Sequence, residues 1–133
     1  MSEFERINPL ELAPPSGFSH AIRAQGRYVF LAGQTATDPN GQIVNGDVVA
    51  QFEQALWNLL TALRSAGGRP AQLASVTIYI VDMDDYRAHA HDIGAVWRRL
   101  VGTTYPAMAG VGVARLWDIY ALIELQGIAV LDY

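Results

Sequence analysis

Cysteine is absent from this chain of 133 residues, and charged side chains are scarce. Without cysteine, the chain has no disulfide, no thiolate nucleophile and no zinc–thiolate site. Asp, Glu, Lys and Arg together make up 17% of the residues, whereas typical globular proteins have roughly 25%. A domain of this size exposes much of its surface, so the low charge content predicts that other subunits cover part of it.

The sequence also has no excess of basic residues and no long apolar run. A formal net charge of −4 argues against a nucleic-acid partner, which requires Lys and Arg on one face. Residues 1–17, MSEFERINPLELAPPSG, carry acids and prolines where a signal peptide needs a basic start and an apolar core. No apolar run approaches the ~20 residues of a membrane span. We therefore expect one cytoplasmic domain over residues 1–133, with no nucleic-acid or membrane partner.

The residues that are present predict the element order β-β-α-β-α-β-β. Alternating apolar residues around Gln25-Gly26 predict a β-hairpin. Apolar residues at helical spacing predict a first helix that begins after an N-cap at Asp47 and ends at Gly67-Gly68. A second stripe, from Tyr86 to Leu100, predicts another helix. Two such helices would cover one face of a single mixed sheet.

Three strands complete the predicted sheet, and the last one indicates a partner subunit. The strands are expected over residues 74–82, from Met108 to Leu116, and from Ile119 to Leu131. The last strand is apolar on both faces, with only Glu124 and Gln126 as interruptions. A strand buried on both sides of a sheet that has helices on one side predicts that another subunit covers the open face.

Two histidines on the second helix are the residues that first suggest a metal site. His89 and His91 point in divergent directions on a helix, so they cannot chelate one metal as an i, i+4 pair would. We therefore expect no metal. Either histidine could line a site alone as a proton carrier near neutral pH, although a solvated helix histidine is the commoner outcome.

Glu124 is the more informative ionisable residue, because it lies in an apolar strand. Burying an unpaired, charged carboxylate costs free energy. A buried carboxylate therefore usually has a raised pKa or pairs with a hydrogen-bond donor. Glu124 is either paired structurally, for example with Arg115 or a neighbouring subunit, or is part of a site. The residues alone leave both alternatives open.

Three segments in order resemble the RidA/YjgF family: NPLELAPPSGFSHAIRAQGRYVFLAGQTATDPNGQIV, YPAMAGVGVARL and IELQGIAVL. The resemblance extends from about Ile7 to Leu131 and implies a chorismate-mutase-like α+β fold, with a mixed β-sheet and two helices packed on one face. It also implies a homotrimer with three sites at the subunit interfaces. Members hydrolyse enamine and imine intermediates to a 2-oxo acid and ammonia, without a metal or organic cofactor.

The family's site positions map onto this chain with several changes. They fall on Phe18, on Ala32 beside Gly33 and Gln34, on His91, on Met108, and on Glu124 and Gln126. Phe18 lacks the hydroxyl of the common Tyr, and Gln126 replaces a glutamate that is thought to orient water. Met108 is the largest departure, because deaminating members have an arginine there that clamps the substrate carboxylate. Losing such a partner for a desolvated anion costs about 2–5 kcal/mol.

The sequence therefore predicts a divergent RidA-like enzyme that acts on a C=N or enamine bond of a small molecule other than a simple 2-imino acid. The predicted pocket contains Phe18, Ala32, His91, Met108, Trp117 and Gln126, with Gln126, His91 or Glu124 handling water or a proton. The alternative is a non-catalytic ligand-binding trimer that kept the fold and the cleft. An endoribonuclease role fits poorly with an acidic chain.

Overall fold

The computed structural model describes residues 4–133. Its strands are β1 (Phe4–Ile7), β2 (Ala21–Ala24), β3 (Arg27–Gln34), β4 (Leu73–Ile80), β5 (Ala107–Gly112) and β6 (Ile123–Leu131). Its helices are α1 (Val48–Ser65), α2 (Met83–Ala88) and α3 (Ala90–Leu100), and a single 3₁₀ turn covers Pro70–Gln72. Residues 1–3 lie outside the described residues.

Four strands form one mixed sheet in the order β3-β6-β4-β5. Strand β6 pairs antiparallel with β3 and β4, while β4 and β5 run parallel and are joined by the crossover through α2 and α3. Strands β1 and β2 form a separate antiparallel pair. The predicted α+β fold, a mixed sheet with two main helical segments packed on one face, is confirmed.

The core lies between the helices and one face of this sheet. The fully buried side chains include Phe52, Leu56, Leu59, Leu60 and Leu63 of α1, together with Val76, Ile80, Ile123 and Leu125 of the sheet. Burying each such side chain contributes about 1.5–3 kcal/mol relative to leaving it exposed. The apolar stripe predicted for α1 is the stripe that packs on the sheet.

Local signals define both ends of α1 as predicted. The Asp47 side chain accepts a hydrogen bond of 3.0 Å from the Ala50 amide, which satisfies one of the free N–H groups of the first turn. At the other end, Gly67 has a φ of +90° and the Gly68 amide donates to the Leu63 carbonyl at 2.9 Å. A left-handed glycine with this back-bond is a common helix stop.

The predicted hairpin around Gln25-Gly26 is wrong, although both of its strands exist. β2 pairs with β1, and β3 pairs with β6, with Arg27 opposite Leu131. A side chain at Gly26, whose φ is +158°, would collide with the Leu131 carbonyl. Gly26 therefore allows the chain to pass close to the end of β6 and to enter the other sheet.

Three predicted boundaries also differ from the structure. The second helix is interrupted at His89, so that α2 and α3 are separate, and β5 ends at Gly112. β6 starts at Ile123 because buried Gln51 holds the preceding loop. Its amide donates to the Tyr120 carbonyl at 3.1 Å, and its side-chain carbonyl accepts from the Leu122 amide at 2.8 Å.

Candidate functional site

A cleft of about 550 Å³ opens beside the edge strand β5. Its walls come from the segment before β2, from α2 and α3, and from β5; they include Phe18, Tyr86, Trp97, Arg98, Tyr105 and Met108. Two of the residues predicted from the sequence, Phe18 and Met108, thus lie together in one cleft. Gly94 on α3 and Gly110 on β5 also line it.

The turn before β5 is held by hydrogen bonds from distant parts of the chain. The Tyr105 carbonyl accepts from the Ser19 hydroxyl at 2.6 Å and from Arg6 Nε at 3.3 Å. The Ser19 amide donates to the Pro106 carbonyl at 2.9 Å. Burial lowers the pKa of the Arg6 guanidinium. Ser19 and Arg6 therefore fix the start of β5, and with it the position of Met108 and the entrance to the cleft.

Two aromatic residues add polar atoms to walls that are otherwise apolar. Burial raises the pKa of the Tyr86 hydroxyl, so this group is a neutral hydrogen-bond donor at physiological pH. The Trp97 ring stacks on Tyr105 at a centroid distance of 6.4 Å. The Trp97 Nε1 is buried and has no hydrogen-bond partner among residues 4–133. The apolar stripe from Tyr86 to Leu100 predicted packing for both residues, but it did not indicate that they also line a cleft.

A second group of predicted residues lies away from the cleft, where the end of β3 meets β6. The Glu124 carboxylate stands over Gly33, so closely that a side chain at position 33 would collide with it. No hydrogen bond or ion pair joins this carboxylate to any other described residue, Arg115 included. Glu124 is thus unpaired among residues 4–133, which leaves the two alternatives of a neighbouring subunit or a site.

Gln126 follows on the same face of β6 and is oriented by a tyrosine. Tyr79 donates its hydroxyl to Gln126 Oε1 at 2.8 Å, so that the amide N–H₂ is the end left for another partner. Ala32 and Gln34 lie near Gly33 on β3, where the ladder with β6 is irregular between Leu31 and Gln34. Within one chain, none of the residues of this second group lines the cleft.

Two predicted site residues join neither group. The His91 side chain is 93% exposed and does not line the cleft, whereas the neighbouring Ala90 does. Trp117 is 97% exposed in the loop between β5 and β6. Roles for His91 and Trp117 in the chemistry stay predictions that require contacts beyond the single chain.

Neither a metal centre nor a membrane span is apparent in the part of the chain that the structure describes. Over residues 4–133, no three His, Asp or Glu side chains lie together in a way that could hold a metal ion. In the same range, every helix is too short or too polar to cross a bilayer.

Comparison with known proteins agrees with the fold and with the extent of the motifs. A family model described as Endoribonuclease L-PSP matches residues 9–131. A RutC family protein of Pyrococcus horikoshii is 37% identical over 118 residues, which cover 87% of this chain and 88% of the relative. The 2-iminobutanoate/2-iminopropanoate deaminase of Capra hircus is 31% identical over 114 residues, with coverages of 85% and 79%.

Solved structures of the same family are also similar to this chain. A protein of unknown function of the conserved Rid protein family from Yersinia pestis superposes with a TM-score of 0.87 at 36% identity. The match covers 96% of this chain and 98% of the other. The motifs, the sheet order and these matches together show that the chain belongs to the RidA/YjgF family.

Proposed function

We propose that this protein is a divergent RidA-like hydrolase that acts on a C=N or enamine bond of a small molecule in a cleft between subunits. The observation that carries the proposal is the separation of the predicted residues into two half-sites. One half, with Phe18 and Met108, lines the cleft, and the other, with Gly33, Glu124 and Gln126, lies on the sheet. A homotrimer, which the family resemblance implies, would bring one half-site of each subunit against the other half-site of its neighbour.

The chemistry of the two halves is complementary. Water adds to the electrophilic carbon of an imine, and loss of ammonia from the resulting aminoalcohol leaves a carbonyl group. Glu124, which has no partner among the described residues, is the carboxylate that can orient this water and accept its proton. A neighbouring subunit over the cleft would exclude bulk water, and the neutral hydroxyl of Tyr86 can donate a hydrogen bond to the reacting group.

Met108 sets the substrate apart from the short 2-imino acids that deaminating relatives act on. A thioether has no hydrogen to donate and no charge. Because a short 2-imino acid places its carboxylate next to the reacting carbon, it would meet Met108 instead of an arginine. We therefore expect weak activity on 2-aminoacrylate and better activity on an imine with a larger apolar part.

The experiment follows 2-aminoacrylate generated in situ by a lyase, with ammonia release as the measured quantity. We expect the wild-type protein to accelerate this reaction weakly and Met108→Arg to be at least about tenfold faster, since a charge-assisted hydrogen bond to the carboxylate is restored. Met108→Leu, which changes neither charge nor approximate volume, serves as the control and stays at the wild-type rate.

Other results would revise the proposal in defined ways. A wild-type rate equal to that of an arginine-bearing family member would show that Met108 does not exclude the standard substrate. Inactivity of wild type and Met108→Arg on 2-aminoacrylate and on a panel of larger imines would favour the non-catalytic ligand-binding trimer.

A further inference from the structure

A hydrogen bond between two strands joins the side chains of Tyr79 and Gln126 on the open face of the sheet. In the register of β4 and β6, Tyr79 lies opposite Glu124, and Thr77 lies opposite Gln126. The Tyr79 hydroxyl reaches across to its diagonal neighbour and donates to Gln126 Oε1 at 2.8 Å. Diagonal neighbours on a sheet are within reach of an aromatic side chain. The pairing of β4 with β6 therefore brings this phenol to the half-site that contains Glu124.

This hydrogen bond decides which end of the Gln126 amide is free. A glutamine side chain has a carbonyl oxygen that accepts hydrogen bonds and an N–H₂ group that donates two. Because Tyr79 occupies the oxygen, the free end is the donor, and no residue from 4 to 133 accepts a hydrogen bond from it. A glutamate at this position would offer oxygens at both ends. The orienting hydroxyl thus matters for a donor only because residue 126 is an amide.

The charges around this donor are unfavourable for an anion. The other paired residues on the open face are uncharged: Tyr28, Phe30, Ser75, Thr77, Ala107, Ala109, Val111, Ile128 and Val130. Among the described strand residues of this face, Glu124 is thus the only charged one. In the cleft, Met108 has no charge, and Arg98 is an exposed side chain whose charge is screened by water. A substrate carboxylate beside Gln126 would therefore meet a negative charge without a buried cation to offset it.

We propose that Tyr79 is a positioning residue that holds the Gln126 amide as a hydrogen-bond donor, and that this donor selects an imine or enamine with an uncharged carbonyl group, such as an ester, in place of a carboxylate. The carbonyl oxygen accepts from Gln126 Nε2, and the reacting carbon lies toward Glu124 on the same strand. This assignment rests on the proposed function and deepens it, because it names the substrate class that the same site would accept.

Calorimetric titration of two stable carbonyl compounds tests the assignment. Methyl 4-methyl-2-oxopentanoate should bind about tenfold more tightly than 4-methyl-2-oxopentanoate, because the ester accepts a hydrogen bond without adding a charge near Glu124. Gln126→Glu and Gln126→Met should each weaken ester binding about tenfold, since both lack the donor and only the first adds a charge. Sedimentation of each variant at the wild-type rate shows that assembly is intact.

A double-mutant cycle separates positioning by Tyr79 from a structural role. Tyr79→Phe should weaken ester binding about threefold, because the freed amide can present either end. In the Gln126→Glu background the same change should have no effect, since a carboxylate has no donor to orient. Tyr28→Phe is the matched control: it removes a hydroxyl from the same face that has no hydrogen-bond partner among the described residues, and it should keep the wild-type affinity.

Three results overturn the assignment. A wild-type protein that prefers the acid, or that does not bind the ester at millimolar concentration, contradicts the substrate class. Unchanged ester affinity in Gln126→Met removes the donor. A loss from Tyr79→Phe that is equal in both backgrounds makes Tyr79 a structural residue.

A kinetic measurement keeps this inference distinct from the proposed function. The imine of the ester is formed by base-induced loss of HCl from the N-chloro derivative of leucine methyl ester, and ammonia release is measured. Tyr79→Phe should raise KM about threefold with little change in kcat, because the lost orientation affects binding and not the reacting carbon. Ester binding that depends on Tyr79 and Gln126 without imine hydrolysis would refute the hydrolase and support the donor. Hydrolysis with the same KM in Gln126→Met would refute the donor alone.

Discussion

Met108 and Glu124 show how the sheet gives two side chains of the candidate site different surroundings. Met108 stands opposite buried Val76 and packs against the core beside the helices. Glu124 stands opposite Tyr79, one residue out of phase with the buried Ile123 and Leu125. Because strand side chains alternate between faces, the two half-sites are on opposite sides of the sheet in any single chain.

Gly33 gives a residue-level test of Glu124, because the glycine makes room for the carboxylate. Glu124→Gln should lower kcat for imine hydrolysis by about 10²-fold, as for loss of a positioned general base. Gly33→Ala should lower it at least about tenfold, because the new Cβ collides with the carboxylate and displaces it. Steady-state kinetics of ammonia release from the most active imine of the panel measures both effects.

The control for this test is another strand glycine whose surroundings have space. A Cβ at Gly112 would meet its nearest neighbour at an ordinary 3.7 Å, so Gly112→Ala should keep the wild-type rate. Full activity of Gly33→Ala would contradict the close contact between position 33 and Glu124, and full activity of Glu124→Gln would remove Glu124 from the mechanism.

The sequence predicted cleft positions for residues that belong to the family motifs. Phe18 and Met108 were placed in one pocket from the family motifs, and the structure brings them into one cleft. Tyr86 was missed because a helical stripe indicates burial without showing what a bulky side chain covers.

At the scale of the elements, local sequence signals predicted the ends of helix α1 correctly, but they did not predict which strands pair. The ends of α1 followed from Asp47 and from Gly67-Gly68, which act within one turn of the helix. The hairpin was wrong because β3 has its partner in β6, roughly a hundred residues away in sequence. Alternation and turn residues indicate that two strands exist, but a long-range close approach such as that at Gly26 decides which strands pair.

The junction of α2 and α3 predicts a pH dependence of stability. The hydrogen bond from His89 to the Asp85 carbonyl, 2.9 Å from Nδ1, and the charges of Asp85, Asp47 and Asp92 raise the pKa of His89 above its ordinary value. A group whose pKa is raised on folding stabilises the folded state while it is protonated. This contribution is complete below the unfolded-state pKa of about 6.5 and is lost as the pH rises through the higher pKa of the folded state.

Urea unfolding between pH 5.5 and 8.5 measures this contribution. The difference in unfolding free energy between the wild type and His89→Gln should be largest at the acid end and should decrease steadily toward pH 8.5. The effect is small, because the side chain is partly exposed. A constant difference across this pH range, or one that grows with pH, would show that protonated His89 does not stabilise the helix junction.

At the scale of the whole molecule, the helices cover one face of the sheet and leave the other open. Tyr28 and Phe30 of β3 are 66% and 75% exposed and lie edge to face, and Ile128 of β6 pairs with Phe30 beside them. A contiguous exposed apolar surface of this kind marks an interaction site. It continues along β6 toward Glu124, so the same contact that covers it would also complete the candidate site.

Phe30→Glu therefore tests assembly and activity together. We expect the wild type to sediment as a trimer and Phe30→Glu to dissociate, because a carboxylate at the centre of the apolar face would be desolvated without a partner. Imine hydrolysis should be lost in parallel, since the proposed site needs one half-site from each of two subunits. Trp57→Glu is the matched control: Trp57 is 51% exposed on the outer side of α1, against Arg64, and its replacement should leave the trimer and its activity intact. A monomeric wild type, or dissociation of Trp57→Glu but not of Phe30→Glu, would place the interface elsewhere and would separate the two half-sites that the proposed mechanism joins.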